Sequence, residues 1–446
     1  MESPETRYAK TPDGVFIAYQ VLGGGSVDLV WHIGWPGNLD VEWEYPHSAR
    51  MMGGLASFSR LILHDHRGVG LSSRDVAVPN LETRVADLRV VLDAVGAERV
   101  VLAGFGTEGA VNALFAATDP DRVQSIVWIE PTARSSWAVD YPWGAGPEYR
   151  AGDLAALEHW GTSEYGRKFA EYQRANGNPI PSSSAVLISR QSRNACTPDV
   201  AQSLSLVWYE TDVRGLLPSV QTPTLLLAYT DADPSPEFDY IASLMPHAER
   251  ETIRGAPYSA EQVDAGLEAI RRFVGARPPA TGLDTILSTV LFTDIVGSTE
   301  RQAAMGDVAW KRLVEQHHAL VRDALGRWRG VENDTAGDGF YATFDGPARA
   351  IQCALEIVEA VRALAIEVRA GVHIGVCELI DGKLGGITVS IGARVASNAG
   401  PSEVLVSQTV KDLVAGSGLV FDDAGEHELK GVPSRWRLYR AVRERV

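Results

Sequence analysis

Two segments in the last third of the chain each place an aspartate where a predicted strand meets a turn of small residues. Leu291-Phe-Thr-Asp-Ile-Val-Gly-Ser-Thr299 contains Asp294, and Asp334-Thr-Ala-Gly-Asp-Gly-Phe340 contains Asp338. Two carboxylates at adjacent strand ends can hold hard cations such as Mg²⁺ or Mn²⁺. The helix predicted after Asp294 would begin with amides that favour an anion such as phosphate. These amides belong to Val296, Gly297, Ser298 and Thr299.

The elements around these turns predict an α+β domain over residues 285–446. A strand, an amphipathic helix, a second strand and a second helix follow one another, and further strand patterns complete the layer. The predicted strands are 287–292, 340–344, 368–378, 404–406 and 436–441. This order is typical of a ferredoxin-like β-α-β-β-α-β core, in which the two aspartates would lie at neighbouring strand ends.

The motif FTDIVGST, followed about 40 residues later by AGDGF and then by IGARV, resembles the catalytic domain of class III adenylyl and guanylyl cyclases. The resemblance covers roughly residues 284–446, and the order and spacing of the motifs carry it. It implies conversion of ATP to 3′,5′-cyclic AMP and pyrophosphate at the interface of a homodimer. It also implies two divalent metal ions per site, Mg²⁺ or Mn²⁺.

The resemblance also assigns roles to individual residues. Asp294 and Asp338, with the backbone carbonyl of Ile295, would bind the two metal ions. Arg394 matches the arginine that stabilises the transition state, and its planar guanidinium suits phosphate oxygens. Lys430 matches the lysine that binds the triphosphate. In the family the metal ligands and these two cations come from opposite subunits.

Three positions depart from the family pattern. Ser390 stands where the family has the asparagine that orients the ribose in catalysis. Asp334 replaces the adenine-selecting lysine, and Lys383 replaces the adenine-selecting aspartate, so the two charges have changed places. The pair still offers one donor and one acceptor, which can read adenine or guanine, or it can be an ion pair that reads no base. We expect contact between the two side chains across the dimer interface. Two alternatives therefore remain open, a GTP-using cyclase and a low-turnover module that binds nucleotide for regulation.

The first part of the chain predicts a different architecture. Over residues 1–274, short apolar strands alternate with helical patterns, which indicates an α/β domain with a mostly parallel sheet. A stretch at about 135–217 interrupts this alternation and predicts a helical cap. Residues 275–284, with two prolines among small residues, are predicted to be a linker.

Three motifs in this first part resemble the α/β-hydrolases: HIGWPG at 32–37, DHRGVG at 65–70 and Gly104-Phe-Gly-Thr-Glu-Gly109. The last should be the turn that carries the nucleophile, yet Gly106 stands at the serine position. Asp233, or its neighbour Asp231, can occupy the acid position, and Tyr258 stands where the histidine base is expected. A triad without nucleophile and base cannot perform acyl transfer by that route. The domain is therefore predicted to be catalytically inactive.

The capped pocket could still bind an unidentified small ligand, so a regulatory or dimer-supporting role is expected. An esterase-like enzyme with a cyclase-like sensor is the alternative from another class, which the missing triad residues oppose. His64 and His66, beside the Arg-Gly turn, are expected to be structural.

Composition excludes several classes of function. The net charge of −16 argues against a general nucleic-acid or membrane-surface binder. The three cysteines are far apart and without CxxC spacing, which is typical of a reducing cytoplasm. The sequence shows neither a signal-peptide pattern nor an apolar run of about 20 residues. We therefore expect a soluble, cytoplasmic protein.

Overall fold

The computed structural model describes residues 4–35, 37–175, 184–256, 259–275, 285–380 and 383–443. The chain divides into two compact units, Met1–Gly282 and Leu283–Val446. Apart from Gly275, the predicted linker lies outside the described residues. In these ranges, none of the helices combines the length and apolarity needed to cross a bilayer.

The first unit is built around an eight-stranded sheet in the order β1-β2-β4-β3-β5-β6-β7-β8. The pairs β1–β2 and β2–β4 are antiparallel, and every pair from β4–β3 to β7–β8 is parallel. This confirms the predicted, mostly parallel α/β sheet. The strands β1 to β8 are Arg7–Lys10, Phe16–Leu22, Asp28–His32, Arg60–His64, Val100–Phe105, Val123–Ile129, Thr224–Tyr229 and Ala248–Ile253.

Ten α-helices accompany this sheet in the described residues. Four of them, α5 to α8, lie between β6 and β7, within the range predicted as a cap. Trp160, in the loop that follows α5, stacks on Trp35 at 5.4 Å between ring centroids and packs into the apolar cluster of these helices. The helices α1 to α10 are Leu39–Glu42, Pro46–Ala56, Leu81–Val95, Glu108–Thr118, Pro147–Ala156, Ser163–Ala175, Ser184–Ala195, Pro198–Glu210, Pro236–Leu244 and Ala260–Gly275.

The second unit contains a sheet in the order β10-β11-β9-β12-β14-β16-β15, with β13 paired to β12. Only β12–β14 is parallel. The predicted α+β class is confirmed. The strands β9 to β16 are Thr285–Ile295, Val331–Ala336, Gly339–Phe344, Val368–Ile380, Lys383–Gly385, Val404–Ser407, Val420–Glu428 and Arg435–Val442. The helices α11 to α15 are Ser298–Met305, Asp307–Trp328, Pro347–Ala360, Ile387–Asn398 and Gln408–Leu413.

The sequence did not predict β10 or β15, the two strands at the ends of this sheet order. Their sequences, VENDTA and VFDDAGEHE, are polar and acidic and lack an apolar face. One side of an edge strand is exposed to solvent, and charged residues there prevent pairing with strands of other chains. The pattern of hydrophobic residues therefore predicts the central strands of this sheet but not the two strands at its edges.

Candidate functional site

Cross-strand pairing in the second unit brings the two predicted metal aspartates together. Asp294 is the penultimate residue of β9, and Phe340 of β11 pairs with Thr293 of the same strand. The turn between β10 and β11 has two residues, with Gly337 at φ +65°, so Asp338 lies beside the end of β9. There the backbone amide of Ile295 donates a hydrogen bond of 3.1 Å to Oδ2 of Asp338.

The two carboxylates are half-buried and electrostatically unequal. Burial first, and the nearby charge of Asp294 second, raise the pKa of Asp338 above its ordinary value, although the Ile295 amide and the Ser298 hydroxyl lower it in part. The guanidinium of Arg369 donates two hydrogen bonds to Oδ2 of Asp294, from Nε at 3.0 Å and Nη2 at 2.5 Å. Among the described residues, no basic side chain forms an ion pair with Asp338.

Arg369 was not predicted to belong to this site. It lies on β12 directly opposite Asp294 in the antiparallel pairing with β9. It enters the site only through that register, which sequence spacing does not reveal. His318 on α12 was also missed. Its Nε2 lies 3.0 Å from the carbonyl oxygen of Gly337 and so supports the turn that carries Asp338.

The predicted phosphate-binding amides need one correction. The N–H of Val296 donates to the carbonyl oxygen of Glu367 at 2.9 Å, because the pairing of β9 with β12 continues one residue past the strand end. That amide is therefore unavailable to a ligand. Gly297, at φ +67°, turns the chain into α11, which begins at Ser298. The amides of Gly297, Ser298 and Thr299 lie at the helix start, where intrahelical acceptors are missing.

Helix α14 presents Ser390 and Arg394 away from the sheet. A Cβ added to Gly392 would lie 2.5 Å from Val290, so this side of the helix faces β9. Ser390 and Arg394 are one turn apart and each two residues from Gly392, which places them on the opposite, exposed side. In the described part of the chain, Arg394 forms no ion pair.

Lys430 lies at the other end of the sheet from Asp294. Asp294 lies at one end of the sheet. The part of β16 at that end is the part around Arg440, which pairs with Leu405 of β14. Lys430 precedes β16, in the turn beyond the pair Glu428 and Arg435. Its side chain is exposed and forms no ion pair within the described ranges. Among the described residues, neither Arg394 nor Lys430 forms an ion pair or hydrogen bond with Asp294 or Asp338.

The predicted base-reading positions lie on two hairpins that touch within one chain. Asp334 on β10 is exposed and pairs with Tyr341, whose ring stacks on Phe292 at 4.8 Å between centroids. The Tyr341 hydroxyl donates to the carbonyl oxygen of Leu384 at 3.2 Å, next to Lys383. The side chain of Lys383 lies outside the described residues. Proximity of the two positions therefore does not require the dimer interface that we expected.

In the first unit, the positions expected for the nucleophile and the acid of a hydrolase triad follow the carboxyl ends of β5 and β7. Gly106 keeps the left-handed turn of a nucleophile elbow at φ +51°, and a Cβ there would meet nothing within 4 Å, so a side chain is simply missing. Asp231 and Asp233 are both exposed, and Asp231 accepts a hydrogen bond of 2.8 Å from the amide of Gly255. Tyr258 lies outside the described residues.

Two family models match the chain and agree with these two architectures. Residues 29–256 match the alpha/beta hydrolase fold, and residues 284–440 match the adenylate and guanylate cyclase catalytic domain. The chain therefore belongs to the alpha/beta hydrolase fold family through its first unit and carries a class III nucleotide cyclase domain in its second.

Individual relatives show the same division. A Rhizobium meliloti (strain 1021) protein named "Putative adenylate cyclase 3" is 26% identical over 155 residues, which is 33% of this chain and 26% of that protein. The "Putative non-heme chloroperoxidase" of Synechocystis is 26% identical over 260 residues, which is 54% of this chain and 88% of that protein. An esterase from Exiguobacterium antarcticum shares the fold with a TM-score of 0.52 at 17% identity, over 61% of this chain and 100% of its own. The chain spans about a quarter of the length of the Rhizobium protein.

Proposed function

We propose that this protein is an adenylate cyclase that converts ATP to 3′,5′-cyclic AMP and pyrophosphate at a site shared by two subunits. The observation that carries the proposal is the position of the two carboxylates. Asp294 immediately precedes Ile295, and the amide of Ile295 donates a hydrogen bond to Asp338. A cyclase domain with both carboxylates at the end of one strand pair has the groups that a metal-assisted phosphoryl transfer requires.

The donor set fits two divalent cations, Mg²⁺ or Mn²⁺. Asp338 is a half-buried carboxylate with a raised pKa and no cationic partner among the described residues, and a metal ion would supply the missing positive charge. Asp294, Asp338 and the carbonyl of Ile295 would hold the ions. When bound, the ions would make the ribose 3′-hydroxyl more acidic and neutralise the triphosphate.

The remaining residues of the site bind and orient the substrate. The amides of Gly297, Ser298 and Thr299 would donate to phosphate oxygens at the start of α11. Arg369 would turn from Asp294 toward the triphosphate once that carboxylate takes another cation, since a guanidinium binds either anion through the same N–H groups. From the second subunit, Arg394 would stabilise charge on the α-phosphate, and the Ser390 hydroxyl would orient the ribose with one hydrogen bond.

The orientation of Arg394 and Lys430 supports a homodimer. Both cations are exposed, and neither forms an ion pair within the described residues. Arg394 lies on the side of α14 opposite Gly392, and Lys430 lies in the turn beyond the pair Glu428 and Arg435. A two-fold axis would bring the carboxylates of one subunit to the cations of the other and would form two equivalent sites.

ATP is the proposed substrate because the cyclase relative described above is named an adenylate cyclase. Asp334 and the backbone beside Lys383 are linked through Tyr341, which supports a joint role for the two positions in base selection. Lys383 would donate to the base and Asp334 would accept from it. GTP is the alternative substrate, because guanine also requires one donor and one acceptor from the protein.

The first unit is proposed to regulate the cyclase or to support its dimer rather than to hydrolyse esters. Gly106 provides no nucleophile, while the elbow that would carry one persists. Three buried, unpaired cysteines agree with a reducing cytoplasm, where ATP is available.

The test is product formation by the full chain from ATP and from GTP, each with Mg²⁺ and with Mn²⁺. Cyclic AMP as the main product supports the proposal, whereas cyclic GMP as the main product would mean that GTP, the alternative, is the substrate. If nucleotide binds but neither product forms with either metal, the domain is a nucleotide-binding regulatory module and the cyclase proposal is wrong.

A further inference from the structure

The elbow of the first unit carries a buried carboxylate that the lost hydrolase chemistry does not explain. Glu108 begins α4, directly after the turn at Gly106, and is 5% exposed. A Cβ on Gly104 would lie 3.0 Å from the Cβ of Glu108, so the carboxylate side chain packs tightly beneath the elbow. Burial of an ionised carboxylate requires compensating charge or ligation.

Two histidines face this carboxylate. His32 ends β3, and its Nδ1 lies 3.8 Å from Oε2 of Glu108. His66 follows β4, and its Nε2 lies 3.2 Å from the same oxygen. One ligand atom from each of the three residues lies within 4.8 Å of the other two. A tetrahedral ion bound at about 2.0–2.1 Å separates its ligands by roughly 3.3–3.4 Å, so a small closure of the group would complete a site.

The surroundings contain unsatisfied polar atoms. Among the described residues, nothing forms a hydrogen bond with either ring nitrogen of His32 or of His64, although the two side chains are almost fully buried. The amide of Asn112 faces His32 without a bond of normal geometry and is likewise unsatisfied. Buried polar groups are rarely left without partners in native proteins, because each such group destabilises the fold.

Arg84 provides the positive charge that this group otherwise lacks. Its Nη2 donates both to Oε2 of Glu108 and to Nε2 of His66, the latter at 2.7 Å. Since His66 accepts from Arg84 at Nε2, the same nitrogen cannot donate to Glu108. The Nη2 atom of Arg84 therefore contacts two of the three ligand atoms, and neither ring nitrogen of His32 has a hydrogen-bond partner among the described residues.

We propose that His32, His66 and Glu108 bind one divalent transition-metal ion, such as Zn²⁺, which displaces the guanidinium of Arg84 toward solvent. Two imidazoles and one carboxylate are a common ligand set for such ions. Burial lowers the pKa of His32 to about 4, so this ring is neutral and able to ligate at neutral pH. Burial alone would raise the pKa of Glu108, but the charge of Arg84 holds it below its ordinary value, so the carboxylate is ionised. The ion would join β3, the turn after β4 and α4 at the former catalytic centre.

The test uses the full chain with Asp294→Ala and Asp338→Ala, so that the cyclase carboxylates cannot contribute. Calorimetric titration with Zn²⁺ should give one ion per chain, and Co²⁺ should give the strong visible absorption of a site with few ligands. Absence of binding in this background would overturn the proposal whatever the cyclase activity of the unmodified chain.

Single variants in the same background identify the ligands. Glu108→Gln and His66→Gln should each weaken Zn²⁺ binding by more than about 100-fold, because even loss of an outer-shell partner costs 10- to 100-fold. His64→Gln is the matched control, since His64 contacts the rings of His32 and His66 but is not a ligand. An equal loss in His64→Gln, or unchanged affinity in Glu108→Gln, contradicts the assignment.

Arg84→Met tests the competition between guanidinium and metal even if the ligand variants do not fold. This variant should bind Zn²⁺ about tenfold more tightly than its parent, and Zn²⁺ should raise its melting temperature more than that of the parent. Weaker Zn²⁺ binding, or a melting temperature that Zn²⁺ does not change, would show that the cluster is an ion pair only.

Discussion

The amide of Ile295 donates to the carboxylate of Asp338 at 3.1 Å and thereby fixes the turn of one hairpin against the end of the neighbouring strand. Asp294 precedes that amide, so one peptide positions both carboxylates. The geometry is set by backbone pairing rather than by long side chains, which would keep the proposed metal ligands in place before any ion binds.

The raised pKa of Asp338 predicts that its charge destabilises the metal-free protein. A group whose pKa is raised on folding contributes stability that is present below its unfolded pKa and lost as the pH rises through its folded pKa. Asp338→Asn should therefore raise the melting temperature at pH 7 by up to about 3 °C, and this gain should vanish at about pH 3. Mn²⁺ should stabilise the wild-type chain but not the variant. Thermal denaturation across this pH range checks the sign, and Asp422→Asn, at an exposed position on β15, is the control.

The ion pair of Arg369 with Asp294 should compete with metal and assist the substrate. In Arg369→Ala, half-saturation by Mn²⁺ without nucleotide should occur at about fivefold lower concentration, since an exposed ion pair contributes up to about 1 kcal/mol. The KM for ATP should rise in the same variant. Arg322→Ala removes a comparable pair with Glu332 away from the aspartates and should change neither quantity. If both quantities also stay unchanged in Arg369→Ala, the arginine has no part in the site.

The proposal that two subunits share each site predicts complementation between two inactive chains. Asp294→Ala and Arg394→Ala should each abolish activity, and their mixture should recover about a quarter of the wild-type rate, because half of the dimers are mixed and each has one intact site. Subunit exchange is verified with differently tagged chains. Persistent inactivity after proven exchange would exclude a site built from both subunits.

The exchanged charges at Asp334 and Lys383 predict coupled effects on base choice. Asp334→Lys and Lys383→Asp should each lower turnover of ATP, whereas the double variant should recover activity and prefer ATP over GTP more strongly than the wild type. Asp334 lies one cross-strand pair from Tyr341, which reaches the hairpin of Lys383. A double-mutant cycle on kcat/KM for both nucleotides measures the coupling. Strictly additive effects would mean that the two charges act independently and read no common base.

How much the sequence predicts depends on burial. The central strand β9 follows an apolar pattern that ends at Asp294. The sequence could therefore predict both that this segment is a strand and that an aspartate lies near its end. The edge strands β10 and β15 carry polar residues on both faces, so the sequence could not predict them as strands. The aspartates were found because they lie in short local motifs.

Register explains the residues that were missed or misjudged. Arg369 contacts Asp294 only because β12 pairs antiparallel with β9, and Val296 loses its free amide to the same pairing. The buried group of His32, His66 and Glu108 gathers residues from three distant segments, so no local motif marks it. The sequence predicts a structural role for His64 and His66, beside the Arg-Gly turn. The contact of His66 with Glu108 depends on the tertiary fold, so the sequence does not predict it.

The most direct test compares the rate of cyclic nucleotide formation with Mn²⁺ in the wild-type chain, Asp294→Ala, Asp338→Ala and Asp422→Asn. Each of the first two variants should lose at least about 100-fold, since metal stabilisation of the transition state contributes several kcal/mol. Asp422→Asn, on an exposed strand of the same domain, should retain the wild-type rate. Near wild-type activity in a correctly folded Asp294→Ala or Asp338→Ala chain would contradict the assignment of these two carboxylates as the metal ligands of the cyclase.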